Sequence, residues 1–202
     1  LFVNYIYQSI FGTNPSQMYS AGLSFNYDKY DEDFRDPVFN YGEDISTDFI
    51  NMKREERVPG AFFQYTGEFL DQRFIVMAGL RYDYHNIFGS IWTPRAHIMY
   101  KPDEFTSIKA TFGRGLRTPN ILAENSYLLA SAANFYVNGE LLGKNPALLD
   151  DLKMEDSWNF GANVNRKFEV FGRTLNINLD YYHTKFNDQV VVDNETVYNK
   201  VN

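Results

Sequence analysis

Apolar and polar residues alternate with a period of two along most of the chain, the signal of a strand with two different faces. In Arg73–His85, Phe74, Val76, Ala78, Leu80, Tyr82 and Tyr84 fall on one side. Arg73, Gly79, Arg81, Asp83 and His85 fall on the other, with Ile75 and Met77 out of pattern. Thr174–Thr184 sets Leu175, Ile177, Leu179 and Tyr181 against Asn176, Asn178, Asp180, Tyr182 and Thr184. Ser157–Phe168 sets Trp158, Phe160, Ala162 and Val164 against Asn159, Gly161, Asn163, Asn165 and Lys167. Ser20–Asp28 does the same with Ala21, Leu23, Phe25 and Tyr27. Weaker copies lie near residues 2–11, 56–69, 91–101, 105–117 and 189–198.

The pattern predicts about nine strands of roughly 9–15 residues, longer than the usual globular strand of about 5–6 and long enough for a tilted membrane strand. The polar face, rich in Asn, Asp, Gly, Thr, Lys and Arg, suits a wet lumen rather than the second layer of a sandwich. The connections alternate as well. Leu70–Gln72, Pro102–Glu104 and Glu169–Arg173 are short, and Gly12–Gln17 is a somewhat longer turn. On the other side, Tyr30 to about Arg54 and Arg117 to about Met154 are long, while His85–Ile91 and Thr184–Gln189 are brief. Short turns at one rim and long loops at the other are an outer-membrane barrel pattern. Aromatics near predicted strand ends, Tyr82 with Tyr84, Tyr181 with Tyr182, Phe168 with Phe171, and Phe62 with Phe63 and Tyr65, read as interfacial girdles. Packing in a β-rich core is the other reading of the same residues.

Composition sharpens this picture. The 202 residues include 15 Tyr, 18 Phe and 2 Trp, and no cysteine. Without cysteine there is no disulfide scaffold, Cys-ligated metal or thiol nucleophile. A net charge of −7 argues against a nucleic-acid partner. The mean hydropathy of −0.42 does not exclude a membrane, because apolar-out, polar-in strands average to polar. The opening LFVNYIYQSI has no basic region or small-residue cleavage site, so it reads as a strand rather than a signal peptide. The chain reads as a piece cut from something longer.

One stretch interrupts the strands: Gly113-Arg114-Gly115-Leu116-Arg117-Thr118-Pro119-Asn120. It is not a phosphate loop, since the chain holds neither GxxxxGK[ST] nor GxGxxG. It does resemble the G-x-G-[FL]-[KR]-x-P-[NT] signature of TonB-dependent outer-membrane receptors, where one barrel strand ends and a long outer loop begins. Gly79-Leu80-Arg81-Tyr82-Asp83 is similar to that family's G-x-R-x-D strand, and Thr93-Pro94-Arg95 to its [TS]-P-R. Asn145-Pro146 with Leu148 and then Glu155 resembles, at looser spacing, its N-P-x-L…E segment. Asp180-Tyr181-Tyr182 with Phe186 resembles its D-x-Y…F strand. The likeness runs from about Arg57 to Val192 and rests on the order of several weak motifs.

The resemblance implies an all-β fold: a transmembrane antiparallel β-barrel, present in part, with residues 1–202 belonging to one barrel domain. The globular plug, the TonB-contacting segment and the closing strands would lie outside the chain. It implies a Gram-negative outer-membrane receptor, not an enzyme, that imports a scarce nutrient with energy delivered through TonB. A ferric siderophore, cobalamin or another metal chelate leads. The implied partners are outer-membrane lipid, the plug, the TonB energy complex and a small nutrient ligand, with no cofactor. The absence of histidine between Thr118 and Glu155 counts against haem. A glycan-importing receptor of the same superfamily, a small stand-alone structural or adhesive barrel, and a soluble β-sandwich binding module are the alternatives.

On this reading Gly113, Gly115, Arg117, Arg81, Asp83 and Arg95 face the lumen, toward plug or ligand. The two glycines let another backbone approach. Arg117 supplies a cation, Pro119 stiffens the exit, and Asn120 caps a short helix to about Ser131. The structural alternatives are a bulge at the glycines, a solvated Arg117, and pairing of Arg81, Asp83, Arg95 and Asp180 across neighbouring strands. His85 and His97 have lumen parity and His183 does not; three scattered histidines make a poor metal site. The acidic, aromatic Tyr27–Asp44 reads first as a solvated loop and second as a ligand-capturing one. Its DKYDED run lacks the spacing and glycine of an EF-hand. No nucleophile–base arrangement is legible.

Overall fold

In a computed structural model, residues 1–35, 49–125, 136–137, 140–141 and 152–192 are described. Eight long strands form one sheet: β1 Phe2–Phe11, β2 Asn14–Arg35, β3 Phe49–Phe69, β4 Phe74–His85, β5 Gly89–Tyr100, β6 Thr106–Arg117, β9 Glu155–Val170 and β10 Arg173–Asp188. Between β6 and β9 lie one helical turn, α1 Ile121–Glu124, and a two-residue pair, β7 Tyr136–Val137 with β8 Glu140–Leu141. The sheet order follows the chain, β1-β2-β3-β4-β5-β6-β9-β10. Every pairing in it is antiparallel. It is a meander, the wall of a barrel, and it does not close on itself.

Eight strands stand where the alternation predicts about nine. The predicted strand near 189–198 is not one over 189–192, and its remainder lies outside the described residues. Several strands run past the predicted range: β2 has 22 residues, β3 has 21, and β9 and β10 have 16 each. Both ends of the predicted loop from Tyr30 to Arg54 are therefore strand, up to Arg35 and from Phe49, and residues 36–48 between them lie outside the described residues. Lys53 pairs with Asp31 and Arg54 with Tyr30 well past the length a membrane needs. Two of the four short turns, Gly12–Gln17 and Glu169–Arg173, are tighter than predicted. The Gly12–Gln17 turn reduces to residues 12 and 13, with Gly12 at φ +65°. Phe171 and Gly172 both take positive φ, as a two-residue hairpin matched to strand twist requires. Leu70, Asp71 and Gln72 do so in succession.

The register settles the faces. Antiparallel partners share a face, so one row runs Gln8, Ser20, Gln64, Gly79, Arg95, Gly113, Asn159, Thr184. This is the polar wall. The opposite face carries Leu23, Phe63, Leu80, Ile98, Phe112, Val164 and Leu179, all well exposed. Among the described residues Ile91 is the only buried hydrophobic side chain, while Ser24, Glu56, Asp83, His85, Thr106 and Asp156 are buried. A water-soluble fold inverts that distribution. Here hydrocarbon is the solvent of the apolar face.

Aromatics mark two levels on that face. At the short-turn end Phe74 lies 6.3 Å from Phe69 and 6.4 Å from Tyr100, centroid to centroid. At the other end Tyr82 packs on Trp92 at 4.6 Å and Phe112 on Trp158 at 5.0 Å. From Phe74 to Tyr84 a strand advances about 33 Å, or about 23 Å along the membrane normal at about 45° tilt, close to a hydrocarbon thickness. Two predicted girdle residues are corrected: Phe62 and Tyr182 face the polar wall, because Phe62 pairs with Arg81 and Tyr182 with Gly161. The out-of-pattern Ile75 and Met77 also find company there. Ile75 sits opposite Met99, and Met77 lies in a row with Thr66, Met18 and Ile10. The polar wall is thus apolar at its short-turn end.

Gly22 lies opposite Ile6 in the β1–β2 ladder. A Cβ there would stand 2.5 Å from the Tyr5 carbonyl oxygen and against the Phe62 ring. Gly22→Ala should lower the unfolding free energy of the full-length protein by about 1–3 kcal/mol, read from urea unfolding in lipid. Wild-type stability would mean that β1 is not held in this register.

Candidate functional site

The polar wall is crossed by side-chain clusters, each built from strand register. Arg81 Nε and Nη2 donate to Asp83 Oδ2 and Oδ1, both at 2.7 Å, and Nη2 also donates to Ser24 Oγ at 2.7 Å. Residues two apart on one strand share a face, which is why Arg81 reaches along β4 rather than across it. Gly60 sits opposite Asp83, and a Cβ there would strike the Asp83 carboxylate. Arg95 Nη2 donates to Gln64 Oε1 at 2.7 Å, with its side chain lying over Gly79. Asp180 accepts from Asn163 at 2.6 Å and from Asn178 at 2.7 Å. A cleft of ≈ 260 Å³ opens here between Lys109, Thr111, Asn163, Asp180 and Tyr182. Pairing of the wall charges is therefore real, but only Asp180 finds a partner on the adjacent strand that sequence parity alone suggests. Arg81 and Asp83 pair within β4, and Arg95 pairs with an uncharged amide.

The Gly113–Asn120 stretch lies where two strands part. β5 and β6 pair from Tyr100 with Ile108 up to Arg95 with Gly113, and there the ladder ends. β6 continues on β9 to Arg117 with Glu155. Pro94, next on β5, has no N–H to offer. Arg114 spans the gap on the apolar side. Its Nη1 donates to the Trp92 carbonyl at 3.1 Å, and its Nε and Nη2 hold Asp156 at 2.8 and 3.0 Å. The guanidinium also lies 5.8 Å from the Trp158 ring centroid. Asp156 stands beyond the Trp158 level, and the hydrogen bonds from Arg114 hold its carboxyl below the ordinary range. Sequence reasoning passed over Arg114, because an arginine on the apolar face reads as an exception rather than a part.

Gly113 is open on the wall: a Cβ would meet nothing closer than Arg95 Cβ and the Pro94 carbonyl, both at 3.8 Å. At Gly115 a Cβ would lie 3.4 Å from Ser157 Oγ. Arg117 is well exposed and paired, to Glu155 through Nε at 2.7 Å and to Glu124 at 3.2 Å. Asn120 precedes α1 but makes no side-chain cap bond, and α1 is a single turn. Asn125 ends the turn, and the rest of the predicted helix, residues 126–131, lies outside the described residues. In place of a side-chain cap, the Asn120 N–H donates to Glu124 Oε1 at 3.4 Å.

A third cluster stands beyond the aromatic level, at the long-loop end. His85 is 2% exposed. Its Nδ1 accepts the Ile87 N–H at 3.2 Å, its Nε2 lies 3.6 Å from Glu56, and its ring packs edge-on to Phe88. Glu56 Oε1 lies 2.8 Å from Arg54 Nε as an ion pair without hydrogen-bond alignment. Arg54 covers the Tyr30 ring and donates from Nη1 to the Pro119 carbonyl at 3.3 Å. Burial pushes the His85 pKa below its ordinary value against the pull of Glu56. Burial and then Glu56 push Tyr30 up. A cleft of ≈ 230 Å³ lies between Lys53, Arg54, Phe88, Thr118, Pro119 and Leu152. Sequence parity placed His85 on this face; the period-two charges Arg54 and Glu56 were the signal that could have found the rest. Among the described residues no group of three or more His, Cys, Asp or Glu is placed to hold a metal ion.

A long-stranded antiparallel wall, apolar outside and polar inside, with tight turns at one rim, defines the class of transmembrane β-barrels. Residues 2–202 match the family model described as TonB dependent receptor-like, beta-barrel, and the chain belongs to that family. A curated relative, the probable TonB-dependent siderophore receptor PirA of Acinetobacter baumannii, is 25% identical over 163 residues, 78% of this chain and 20% of its own length. The chain therefore spans about a fifth of that relative. Among solved structures, a variant of the ferric enterobactin receptor PfeA of Pseudomonas aeruginosa, in complex with enterobactin, superposes with a TM-score of 0.63 at 17% identity, over 92% of this chain and 26% of that one. The siderophore receptor PirA of Pseudomonas aeruginosa gives 0.59 at 20% identity, over 96% and 33%. At these identities the structures speak for the fold.

The two rim arginines should differ in a double-mutant cycle on the full-length protein. Arg114→Ala with Asp156→Ala should give a coupling of about 1–3 kcal/mol, because the pair is half-buried and bidentate. Arg117→Ala with Glu155→Ala should give about 0–1 kcal/mol, because Arg117 is in water. Equal couplings in urea unfolding would remove the role given to Arg114 in closing the gap.

Proposed function

We propose that the chain is part of the barrel of a Gram-negative outer-membrane receptor that imports a ferric siderophore or a similar metal chelate, with energy delivered through TonB. The observation that carries this reading is the family match over the whole wall, joined to a relative named as a siderophore receptor. The barrel has no energy source of its own, so the coupling belongs to the family mechanism. The plug and the closing strands belong to the rest of the parent protein. Two features support a plug against this wall. The patch of Ile75, Met77, Met99 and Met18 would face water in an open pore, and Gly113 leaves free space on the wall.

Uptake of radioactive iron supplied as a ferric siderophore, compared in the parent bacterium with and without the gene, tests the reading. Uptake should fall at least about tenfold without the gene, and equally on loss of TonB, since affinity at the surface sets the rate. Intact iron uptake together with lost growth on an oligosaccharide would transfer the reading to a glycan receptor.

Within that reading, Arg117 and Gly113 act on plug or ligand rather than on barrel stability. Arg117→Ala should reduce uptake several-fold while the amount of receptor in the membrane stays unchanged. Gly113→Leu should do the same, because a Cβ there makes only ordinary van der Waals contacts with the wall. Unchanged uptake in both variants would leave them as ordinary wall residues.

A further inference from the structure

The long-loop rim ties three parts of the chain together through buried charge. We infer that His85, Glu56 and Arg54 form a proton-sensitive clamp that holds the segment leaving β6 against β3 and releases it when His85 is protonated. The clamp does not depend on which nutrient the receptor carries.

His85 Nδ1 accepts the Ile87 N–H, so the neutral ring carries its proton on Nε2, toward Glu56. A protonated ring has no acceptor left and must drop Ile87. It also places a second cation beside Glu56, in competition with Arg54. Arg54 is the group that reaches the Pro119 carbonyl, and Pro119 is buried beside Thr118. The side chains are 3%, 8% and 15% exposed for His85, Glu56 and Arg54, so water does not screen the exchange. The charged and titratable groups around the ring are few. Glu56 and Arg54 come from β3, and Tyr30 and Asp28 come from β2, the latter paired with Glu56 in the ladder. Asp83, two residues back on β4, is already held by Arg81. Phe88 and Ile87 close the remaining side without charge.

The sign is fixed by burial. The enclosed ring holds its proton less tightly than a free histidine of ordinary pKa 6.5. The closed clamp therefore binds fewer protons than the open one. Closure is undisturbed at neutral pH and weakens as pH falls below 6.5 toward the lowered value.

Hydrogen exchange of the full-length receptor, corrected for intrinsic rates, reads the clamp directly. Between about pH 7.5 and about pH 5, protection of the Ile87 amide and of the 118–125 segment should fall at least about threefold, while the β4–β5 ladder keeps its protection. His85→Asn keeps an acceptor for Ile87 but does not titrate, so its protection should not change with pH. Arg54→Ala should expose the 118–125 segment at both pH values. Equal wild-type protection at both pH values would overturn the clamp, as would an unchanged pH response in His85→Asn. If a variant loses β4–β5 protection as well, the wild-type pH series decides alone.

Discussion

In hydrocarbon a peptide group has no water to bond, and each unpaired N–H or C=O costs several kcal/mol. The rest of the structure follows from that constraint. Successive strands must pair edge to edge, so the chain runs as a meander from β1 to β10 with no crossover in the sheet. The ladder between β5 and β6 ends early, at Arg95 with Gly113, and it ends near the membrane boundary, where Trp92 and Trp158 stand. Arg114 then offers its guanidinium to a carbonyl that the ladder has left. The charge is tolerated on the apolar face because Asp156 neutralises it and because it lies at the level of the indole rings. The glycine-punctuated stretch is thus a parting of strands with its open edge closed by a side chain.

The same constraint explains the wall. A polar face inside a narrow sheet must satisfy its own groups, and it does so locally. Arg81 takes Asp83 and Ser24, Arg95 takes Gln64, and Asp180 takes Asn163 and Asn178. Glycines appear where such groups lie flat: Gly60 under the Arg81–Asp83 pair and Gly79 under Arg95. The wall is therefore a largely self-satisfied surface. A partner would read it through shape and a few exposed heads, such as Arg117 and Lys109. At the long-loop end the balance changes. There β2 and β3 stand clear of the membrane, and their charges bury one another and take hold of the segment that leaves β6.

The alternation of the chain determined the class of fold by itself, because a period of two assigns each residue to one of two faces and leaves no helical alternative. It also assigned Arg81, Asp83, Arg95, Gly113, Gly115 and Arg117 to one wall, since parity survives any register that keeps the turns in place. Partners were beyond its reach. Whether Arg81 reaches along β4 or across to β3 depends on rotamer and on the empty place at Gly60, which only the folded neighbours supply. The lengths of β2 and β3 were also hidden. Once the alternation gives way to the charged, aromatic run after Tyr27, strand and loop look alike, and it is pairing that extends the ribbon to Arg35 and Phe49. The roles of Arg114, Arg54 and His85 were decided last of all. Each depends on residues from strands far apart in sequence that meet only when β5 and β6 part and the exit of β6 folds over the rim.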